Sequence, residues 1–408
     1  MKIAIVTEDY VKGGQNVFIA ELINGWPEPD EFVIISNEGN IGLDLIRYRV
    51  NRHCTFITHR LDIDFRLKAV TPAFLQPARK IIMAFGRYFT LGVQTFLMRR
   101  LLGRLSPDAV LISNGGYPGG QTCRAAVIAG IFRQRWGRPV MICHNIAFHR
   151  RPFWQWPFEA VVDLLVCRGA GAIVAVSRCT ERSLSERLGS AAGSKLQTIY
   201  NGINPVDQKT SSRSVMAEFD LAEGAKLILT IANFEKRKGH EFLFMVFAQV
   251  VKELPQAVLL LAGSDTPGRT AELKAFVQSL HLEGKVFFLG HVEDIPMLVS
   301  KIDLLAVPSQ EFESFGLINL EVMAQRKAVV ATNTGGLPEV VDDGVTGYIC
   351  ERSDVNAFAG KIVDLLNDDV KREQFGRAGY ERLQKLFLGS RMAKDYHQCL
   401  TTIQSGRG

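Results

Sequence analysis

Two series of short apolar runs, each alternating with segments of helical length, constrain the fold of this chain more than any other feature. In the first half, runs such as KIAIVT (residues 2–7) and AIVAVS (172–177) are apolar at nearly every position. Strands of this kind are buried on both faces, as in a parallel sheet covered by helices. A second series starts with KLILTIANF (226–234). Both halves therefore predict a doubly wound α/β sheet.

The segment NGINPVDQKTSSRS (201–214) interrupts this alternation with Pro, Ser and Lys, as an interdomain linker does. A chain of 408 residues is long enough to bury two cores. We predict one domain over 1–200 and a second over 201–385. Further strands are predicted at FVIIS, DAVLIS, PVMICHN, LQTIYNGI, AVLLLAG, KVFFLGHV, IDLLAVPS and AVVATNTGG.

The net charge of +6 conceals an uneven distribution. Residues 47–158 contain 18 Lys and Arg against three acidic residues, so the remainder of the chain is net acidic. Within this basic block, residues 77–105 mix Arg and Lys with large apolar side chains, and RRPFWQWPF (150–158) adds two tryptophans. Basic and aromatic residues together favour an anionic membrane surface. Nucleic-acid binding is disfavoured, because no recognised module is present.

Other composition features indicate a cytoplasmic protein, peripheral on the inner face of the membrane at most. The apolar start MKIAIV is too short for a secretory signal, and no apolar run approaches the roughly 18 residues of a membrane span. The seven cysteines are scattered and form no Cys-x-x-Cys pair. This spacing argues against a disulfide framework and a zinc site, and it favours a reducing compartment.

Two glutamates stand eight positions apart in SQEFESFGLINLEVMAQ, on either side of a Gly-containing turn. Glu313 is predicted in the turn after the strand IDLLAVPS, and Glu321 within the following helix. Eight helical residues span about 12 Å, whereas the paired carboxylates of glycosidases lie roughly 5–9.5 Å apart. The two are better suited to anchor opposite ends of one ligand. Between them, the amides of residues 315–317 form a helix start that attracts phosphate, so the ligand predicted is a nucleotide diphosphate sugar.

A second phosphate signal is TIANFEKRKGHEFL, where Arg237 and Lys238 lie in a turn between strand and helix. Cations at such a turn neutralise phosphate, although a solvated basic loop would have the same sequence. In the first half, Gly13 and Gly14 precede an amphipathic helix and permit close backbone approach. The glycine spacing of dinucleotide-binding dehydrogenases is absent there.

Taken together, these motifs resemble the retaining glycosyltransferases of family 4, which have the GT-B fold. The resemblance depends on ESFGLINLEVMA, with Glu, seven residues and Glu, supported by the KG at 238–239, GHVEDIPMLVSKIDLLAVPS, TNTGGLPEVV and DDGVTGYI. It implies two Rossmann-like domains facing each other across a cleft. It also implies that residues 386–408, including RMAKDYHQCLTTI, form a helix that returns to the first domain.

The resemblance implies roles for individual residues of the second domain. Glu313 would bind hydroxyls of the transferred sugar, the backbone of Phe315, Gly316 and Leu317 would face sugar and diphosphate, and Glu321 would bind the ribose. Lys238 would bind the phosphates, and backbone at His291 and Val292 would frame the base. The family usually has an arginine where this chain has Asn233. Either Arg237 takes over its phosphate contact, which we expect, or the neutralisation of the phosphate charge is weaker.

In the first domain, the resemblance implies that Gly13 and Gly14 face the donor phosphates and that His144, directly after the strand PVMICHN, contacts the donor sugar. His149, Arg150 and Arg151 would reach the acceptor. The one Asp-x-Asp pair, Asp62 and Asp64, could suggest a divalent metal, but it lacks a strand end before it and is interpreted as solvated surface. No metal and no cofactor are expected, because helix dipoles and cations can balance a diphosphate.

The predicted function is therefore the metal-independent, retaining transfer of a sugar from a UDP- or GDP-linked donor to a saccharide acceptor. The acceptor is expected to be lipid-linked, in the synthesis of a bacterial cell-surface polysaccharide. Two alternatives stay open at this point: a sugar-nucleotide epimerase or hydrolase with the same architecture, and a non-catalytic nucleotide-sugar-binding protein. The identity of the sugar, the linkage and the oligomeric state are not determined by these motifs.

Overall fold

The computed structural model describes residues 1–62, 76–132, 136–148, 155–205, 224–265, 268–292 and 294–406, and the backbone alone along 76–85. Asp64, His149, Arg150, Arg151 and the part of the predicted linker after residue 205 lie outside these ranges. The chain divides into two units: Met1–Asn204 with Gly389–Gly408, and Pro205–Leu388.

Unit 1 contains a seven-stranded parallel sheet with strand order β3-β2-β1-β4-β5-β6-β7. Its strands are β1 (Lys2–Thr7), β2 (Glu31–Asn37), β3 (Cys54–His59), β4 (Ala109–Asn114), β5 (Val140–Cys143), β6 (Ala172–Ala175) and β7 (Leu196–Thr198). Its helices are α1 (Gly14–Asn24), α2 (Leu43–Arg49), α3 (Gln76–Leu105), α4 (Gln121–Ala129), α5 (Trp156–Gly169), α6 (Arg178–Leu188) and the C-terminal helix Gly389–Ser405.

Unit 2 contains a six-stranded parallel sheet with strand order β10-β9-β8-β11-β12-β13. Its strands are β8 (Lys226–Ile231), β9 (Ala257–Ala262), β10 (Val286–Gly290), β11 (Leu304–Val307), β12 (Ala328–Thr332) and β13 (Gly347–Cys350). Its helices are α7 (His240–Glu253), α8 (Arg269–Ser279), α9 (Ile295–Lys301), α10 (Leu317–Ala324), α11 (Leu337–Val340), α12 (Val355–Asn367) and α13 (Asp369–Leu386); the C-terminal helix of unit 1 is α14.

The predicted strands form because their apolar runs are buried on both faces, as in β1, β4 and β9, where nearly every residue is inaccessible. Helices begin where the chain offers a cap. Asp354 and Asp368 accept hydrogen bonds from the amides of Ala357 and Lys371 at the starts of α12 and α13, each at 2.9 Å. The α/β architecture of two doubly wound sheets is as predicted.

The strand orders place a reversal of winding direction between β1 and β4 in unit 1 and between β8 and β11 in unit 2. In open α/β sheets, ligands bind beyond the carboxyl ends of the strands at such a reversal. The loops that follow β8 and β11 carry Lys238 and Glu313, respectively. The topology therefore brings together two residues that are 75 positions apart in sequence.

Helix α14 packs on unit 1, where its Tyr396 ring meets the ring of Phe18 on α1 edge-on at 5.7 Å. Tyr396 and Met392 are fully buried. Two strands escaped prediction, β3 and β13, both at sheet edges. Along the described residues, no helix has the length and apolarity needed to span a membrane.

Candidate functional site

The turn after β8 is held against the turn after β11 by a backbone contact that only glycine permits. Residues Lys236–Lys238 form one turn of 3₁₀-helix, and Gly239 follows with φ of 73° before α7 begins. A Cβ at Gly239 would lie 2.0 Å from the carbonyl oxygen of Pro308. The amide of Gln310 also donates to the carbonyl of Arg237 at 2.9 Å. The two strand-end loops are thus fixed relative to each other.

Glu313 lies in the turn between β11 and α10, as predicted, and its backbone is fixed by a neighbouring loop. The amide of Gly336 donates to the Glu313 carbonyl at 2.8 Å. Gly335 has φ of 58°, and a Cβ there would lie 1.9 Å from that same carbonyl oxygen. Gly316, with φ of 81°, caps the start of α10. The turn therefore presents the Glu313 side chain from a rigid backbone.

Two cations converge on the Glu313 carboxylate. The Lys238 ammonium contacts Glu313 Oε2 directly, and an Arg237 guanidinium nitrogen lies 4.0 Å from the same oxygen. Arg237 also donates to Glu235 at 2.6 Å and stacks over the Phe312 ring at 5.0 Å. The side chains of Arg237, Lys238 and Glu313 keep 24%, 17% and 16% of their surface exposed. Held cations beside a helix start make an anion-binding arrangement.

The other predicted donor residues of unit 2 are spread along neighbouring strand ends. Phe315 is buried and packs edge-on against Phe387 at 5.7 Å, so its side chain belongs to the core and only its backbone can meet a ligand. Gly316, Leu317 and Glu321 are partly exposed at the start and middle of α10.

His291 is exposed and Val292 is partly exposed, directly after β10. Asn233 is partly exposed after β8, and its carbonyl accepts from the Glu235 amide at 2.7 Å. All of these residues lie beyond the carboxyl ends of the unit 2 strands or on α10, which is where a ligand of an open α/β sheet binds. The roles predicted for them stay predictions.

Three residues of this region were not singled out from sequence. Glu235 and Phe312 hold the Arg237 guanidinium from two sides. His240, the first residue of α7, is 1% exposed, and burial lowers its pKa to about 4. It packs edge-on against Phe234 at 5.2 Å. The spacing Glu-x-Arg could have indicated the contact between Glu235 and Arg237, but the positions of Phe312 and His240 depend on tertiary packing.

In unit 1, Ser113 links the start of α1 to His144. The Gln15 side-chain amide donates to the Ser113 carbonyl and to Thr7 Oγ1, both at 2.8 Å. The Ser113 hydroxyl lies 2.9 Å from His144 Nε2, and the Phe18 ring meets the imidazole edge-on at 4.5 Å. Burial lowers the pKa of His144 to about 3, so the imidazole is neutral near pH 7.

Gly13 is the N-cap of α1, and its amide donates to the side chain of Asn16 at 3.0 Å. A Cβ at Gly13 would meet no atom within 4 Å, so the space beside the turn is open. Gly14 begins the helix, as the sequence predicts. The roles predicted for Gly13, Gly14 and His144 toward a donor stay predictions.

The interpretation of Asp62 as solvated surface was wrong. Asp62 is 4% exposed, and its carboxylate accepts from the Tyr10 hydroxyl at 3.2 Å. The same hydroxyl lies 3.3 Å from Glu8, whose pKa is raised by burial and which accepts from the Thr122 amide at 2.8 Å. Asp62 follows the edge strand β3, which was not predicted, and this is why its burial was missed. Among the described residues, no three metal-binding side chains are grouped.

Two family models match the chain, one in each half. The model described as Glycosyltransferase Family 4 matches residues 12–207, and the model described as Glycosyl transferases group 1 matches residues 212–382. The second match contains every site residue discussed for unit 2.

Curated relatives cover part of the chain. N-acetyl-alpha-D-glucosaminyl L-malate synthase of Bacillus anthracis is 34% identical over 202 residues, which are 49% of this chain and 52% of that protein. Spore coat protein SA of Bacillus subtilis is 28% identical over 275 residues, 63% of this chain and 70% of that protein. The match therefore spans about half the length of the first relative.

Solved structures match nearly the whole chain at low identity. Anabaena HepE in complex with UDP and glucose has a TM-score of 0.75 at 20% identity, covering 98% of this chain and 100% of HepE. A sucrose-phosphate synthase from Thermosynechococcus elongatus has a TM-score of 0.73 at 20% identity, covering 99% of each chain. These similarities confirm the predicted two-domain α/β fold of GT-B type.

Proposed function

Because this chain belongs to the group 1/family 4 glycosyltransferases, we propose that it transfers a sugar from a nucleotide diphosphate sugar to a saccharide acceptor. The observation that carries the proposal is the convergence of Arg237 and Lys238 on Glu313 next to the start of α10. A diphosphate carries charge that two cations and a helix start would balance.

The donor proposed is UDP-linked in the first instance, with GDP as the other candidate. HepE has been solved with UDP and with UDP-glucose, which supports UDP as a probe. In the proposed complex, the diphosphate lies between the two cations and the amides of the first turn of α10. Glu313 binds hydroxyls of the transferred sugar and Glu321 binds the ribose.

Catalysis in this proposal consists of positioning the donor and stabilising the departing diphosphate. The Lys238 ammonium, already held by Glu313, needs little reorganisation to meet phosphate. This pairing also satisfies the Glu313 carboxylate, whose side chain is largely buried. The reaction is proposed to be retaining and metal-independent, with a donor phosphate oxygen taking the proton from the acceptor hydroxyl.

The finer proposal concerns the acceptor and the location. We propose a lipid-linked saccharide used in a bacterial cell-surface polysaccharide, reached from the inner face of the cytoplasmic membrane. The basic, aromatic sequence of residues 77–105 and 150–158 supports this location.

Initial-rate assays with UDP-sugars and saccharide acceptors test the proposal. Lys238→Ala and Glu313→Ala should each reduce turnover at least roughly tenfold, which corresponds to about 1.4 kcal/mol in the barrier. Arg377→Ala, an exposed arginine on α13 of the same unit, is the matched control and should leave turnover unchanged.

Near-unchanged rates in both site variants would contradict the roles proposed for Lys238 and Glu313. Products formed from the donor alone, without acceptor, would instead indicate an epimerase or hydrolase. Donor binding without any turnover would indicate a binding protein.

A further inference from the structure

Helix α5 exposes apolar side chains where an outer helix of an α/β domain normally carries charge. Trp156, Phe158, Val161 and Leu164 are 61%, 45%, 56% and 38% exposed. Pro157 and Ala160 are the other apolar residues exposed on α5, and its one exposed charged residue is Arg168. A contiguous apolar patch of this kind marks an interaction surface.

The two acidic residues of α5 are turned away from this surface into a buried ionic network. Glu159 and Asp163 each pair with Arg187, at 3.1 Å, and their side chains are 6% and 13% exposed. The hydroxyl of Tyr88 donates to Glu159 at 3.0 Å, and that of Tyr117 donates to Asp163 at 2.7 Å. Arg124 also pairs with Glu159, at 3.6 Å, so two arginines balance the two carboxylates inside the domain and the exposed face of α5 carries no unpaired negative charge.

Helix α3 lies beside α5 and continues the same surface with positive charge. The ring of Tyr88 on α3 stacks on that of Phe158 at 5.3 Å. Residues 76–105 contain no Asp or Glu. Along the exposed face of α3, Phe89 and Phe96 are followed by Arg99, Arg100 and Arg104.

Two of these arginines stack on exposed aromatic rings, Arg99 over Phe132 at 5.0 Å and Arg100 over Phe96 at 5.9 Å. Beside α5, a groove of about 570 Å³ is lined by apolar side chains (Trp156, Ala160, Leu164, Leu188 and Ala191) and by the ion-paired Glu159, Asp163 and Arg187. The surface thus combines bulky aromatics, arginines and a groove whose two acidic residues are paired.

We propose that the exposed faces of α3 and α5 form the surface with which unit 1 inserts into an anionic lipid bilayer. Aromatic side chains prefer the interface between headgroups and acyl chains, where Trp156, Phe158 and Phe89 would lie. The exposed arginines of α3 would be attracted to the anionic headgroups. Neither helix face exposes an acidic side chain, so both faces are complementary in charge to anionic lipid. This complementarity is the reason for proposing a bilayer as the binding partner.

This inference deepens the proposed function, because its relevance to a lipid-linked acceptor rests on that function. Binding of the protein to a bilayer can nevertheless be measured without sugar transfer. Flotation with vesicles containing phosphatidylglycerol, and with vesicles of phosphatidylcholine alone, provides the test. The wild-type protein should bind the anionic vesicles at low salt. The double variant W156S/V161S should bind at least about tenfold more weakly at any salt concentration, because its apolar contact is reduced.

The triple variant R99Q/R100Q/R104Q should lose most of its binding at low salt and should no longer distinguish the two vesicle types. Val370→Ser, which replaces an exposed valine on α13 of unit 2, is the matched control and should bind as wild type. All variants should bind UDP as the wild type does. UDP binding therefore tests the donor proposal independently of membrane binding.

Several outcomes would overturn the inference. The wild-type protein could fail to bind anionic vesicles at low salt, or the two surface variants could bind them as wild type does with unchanged melting temperatures. Self-association that W156S/V161S abolishes, without vesicle binding, would show that the surface joins two copies of the chain.

Discussion

Replacing Arg237 by Ala should weaken the binding of UDP roughly 10- to 150-fold. In the structure, the Arg237 guanidinium is held by Glu235 at 2.6 Å and by the Phe312 ring at 5.0 Å, and it lies 4.0 Å from the carboxylate that Lys238 contacts. A hydrogen bond to a charged group contributes about 1.5–3 kcal/mol. At about 1.4 kcal/mol for each factor of ten, the loss of one such bond gives this range.

Titration calorimetry with UDP and with pyrophosphate measures the effect, and both ligands should lose affinity because the contact is to phosphate. The double variant R237A/N233R returns a cation to the turn after β8, at the position where the family resemblance implies an arginine. It should recover at least about half of the lost binding free energy. Arg237→Lys should recover less, because lysine lacks the planar fork that Glu235 and Phe312 orient.

The matched control is Arg377→Ala on α13, which removes an equal charge from an exposed site of unit 2 and should leave UDP affinity unchanged. Glu235→Gln keeps the arginine and its contact with Phe312 but removes the carboxylate charge that orients it, so UDP affinity should fall by a smaller factor than in Arg237→Ala. The reasoning is refuted if Arg237→Ala binds UDP within twofold of wild type, or if the second cation at position 233 restores nothing.

The remaining predictions concern Glu321, the glycine beside Glu313, and His240. Glu321→Gln should weaken UDP at least about tenfold and leave pyrophosphate unchanged by calorimetry, because only the ribose contact is lost; equal losses for both ligands would contradict that role. Gly335→Ala should lower the melting temperature more than Gly344→Ala, since both have positive φ but only a Cβ at Gly335 meets a backbone atom, at 1.9 Å; equal shifts would contradict the contact. Burial lowers the pKa of His240 to about 4 from an ordinary value of about 6.5. Between these two pH values, the unfolded chain therefore binds one more proton than the folded chain. The stability that depends on neutral His240 is thus fully present above about pH 6.5 and is lost toward pH 4. Between pH 7.5 and 5, the free energy of unfolding of the wild type should decrease by about 2 kcal/mol more than that of His240→Gln, as measured by thermal or urea unfolding.

The sequence could predict the part of the fold that depends on local pattern. Strands such as β8 and β11 are apolar throughout because helices cover both faces, so their ends and the polar residues that follow are visible as abrupt changes of composition. The placement of Glu313 in a turn follows from Gly316, whose positive φ begins α10. Once the strand order is doubly wound, Lys238 and Glu313 must follow neighbouring strands.

What the sequence could not predict lacks a local apolar pattern or depends on contacts between distant loops. Strand β3 is CTFITH, in which exposed residues are interspersed with half-buried ones, and β13 is the short GYIC, so neither has the continuous apolar run by which the other strands were predicted. Asp62 was interpreted as surface because β3 before it was not recognised, and its contact with Tyr10, 52 positions away, depends on tertiary packing. The placement of Phe312 under Arg237 likewise requires the turn after β8 to contact the turn after β11.

The central claim is that a nucleotide diphosphate lies along the start of α10, with its phosphates at Arg237 and Lys238 and its ribose at Glu321. A crystal structure of the protein soaked with UDP tests this claim most directly. We predict phosphate oxygens at about 3 Å from both cations and from the amides of the first turn of α10, and ribose hydroxyls at about 3 Å from the Glu321 carboxylate. Density for UDP at another site, or a Glu321 side chain directed into bulk water in the complex, would contradict it.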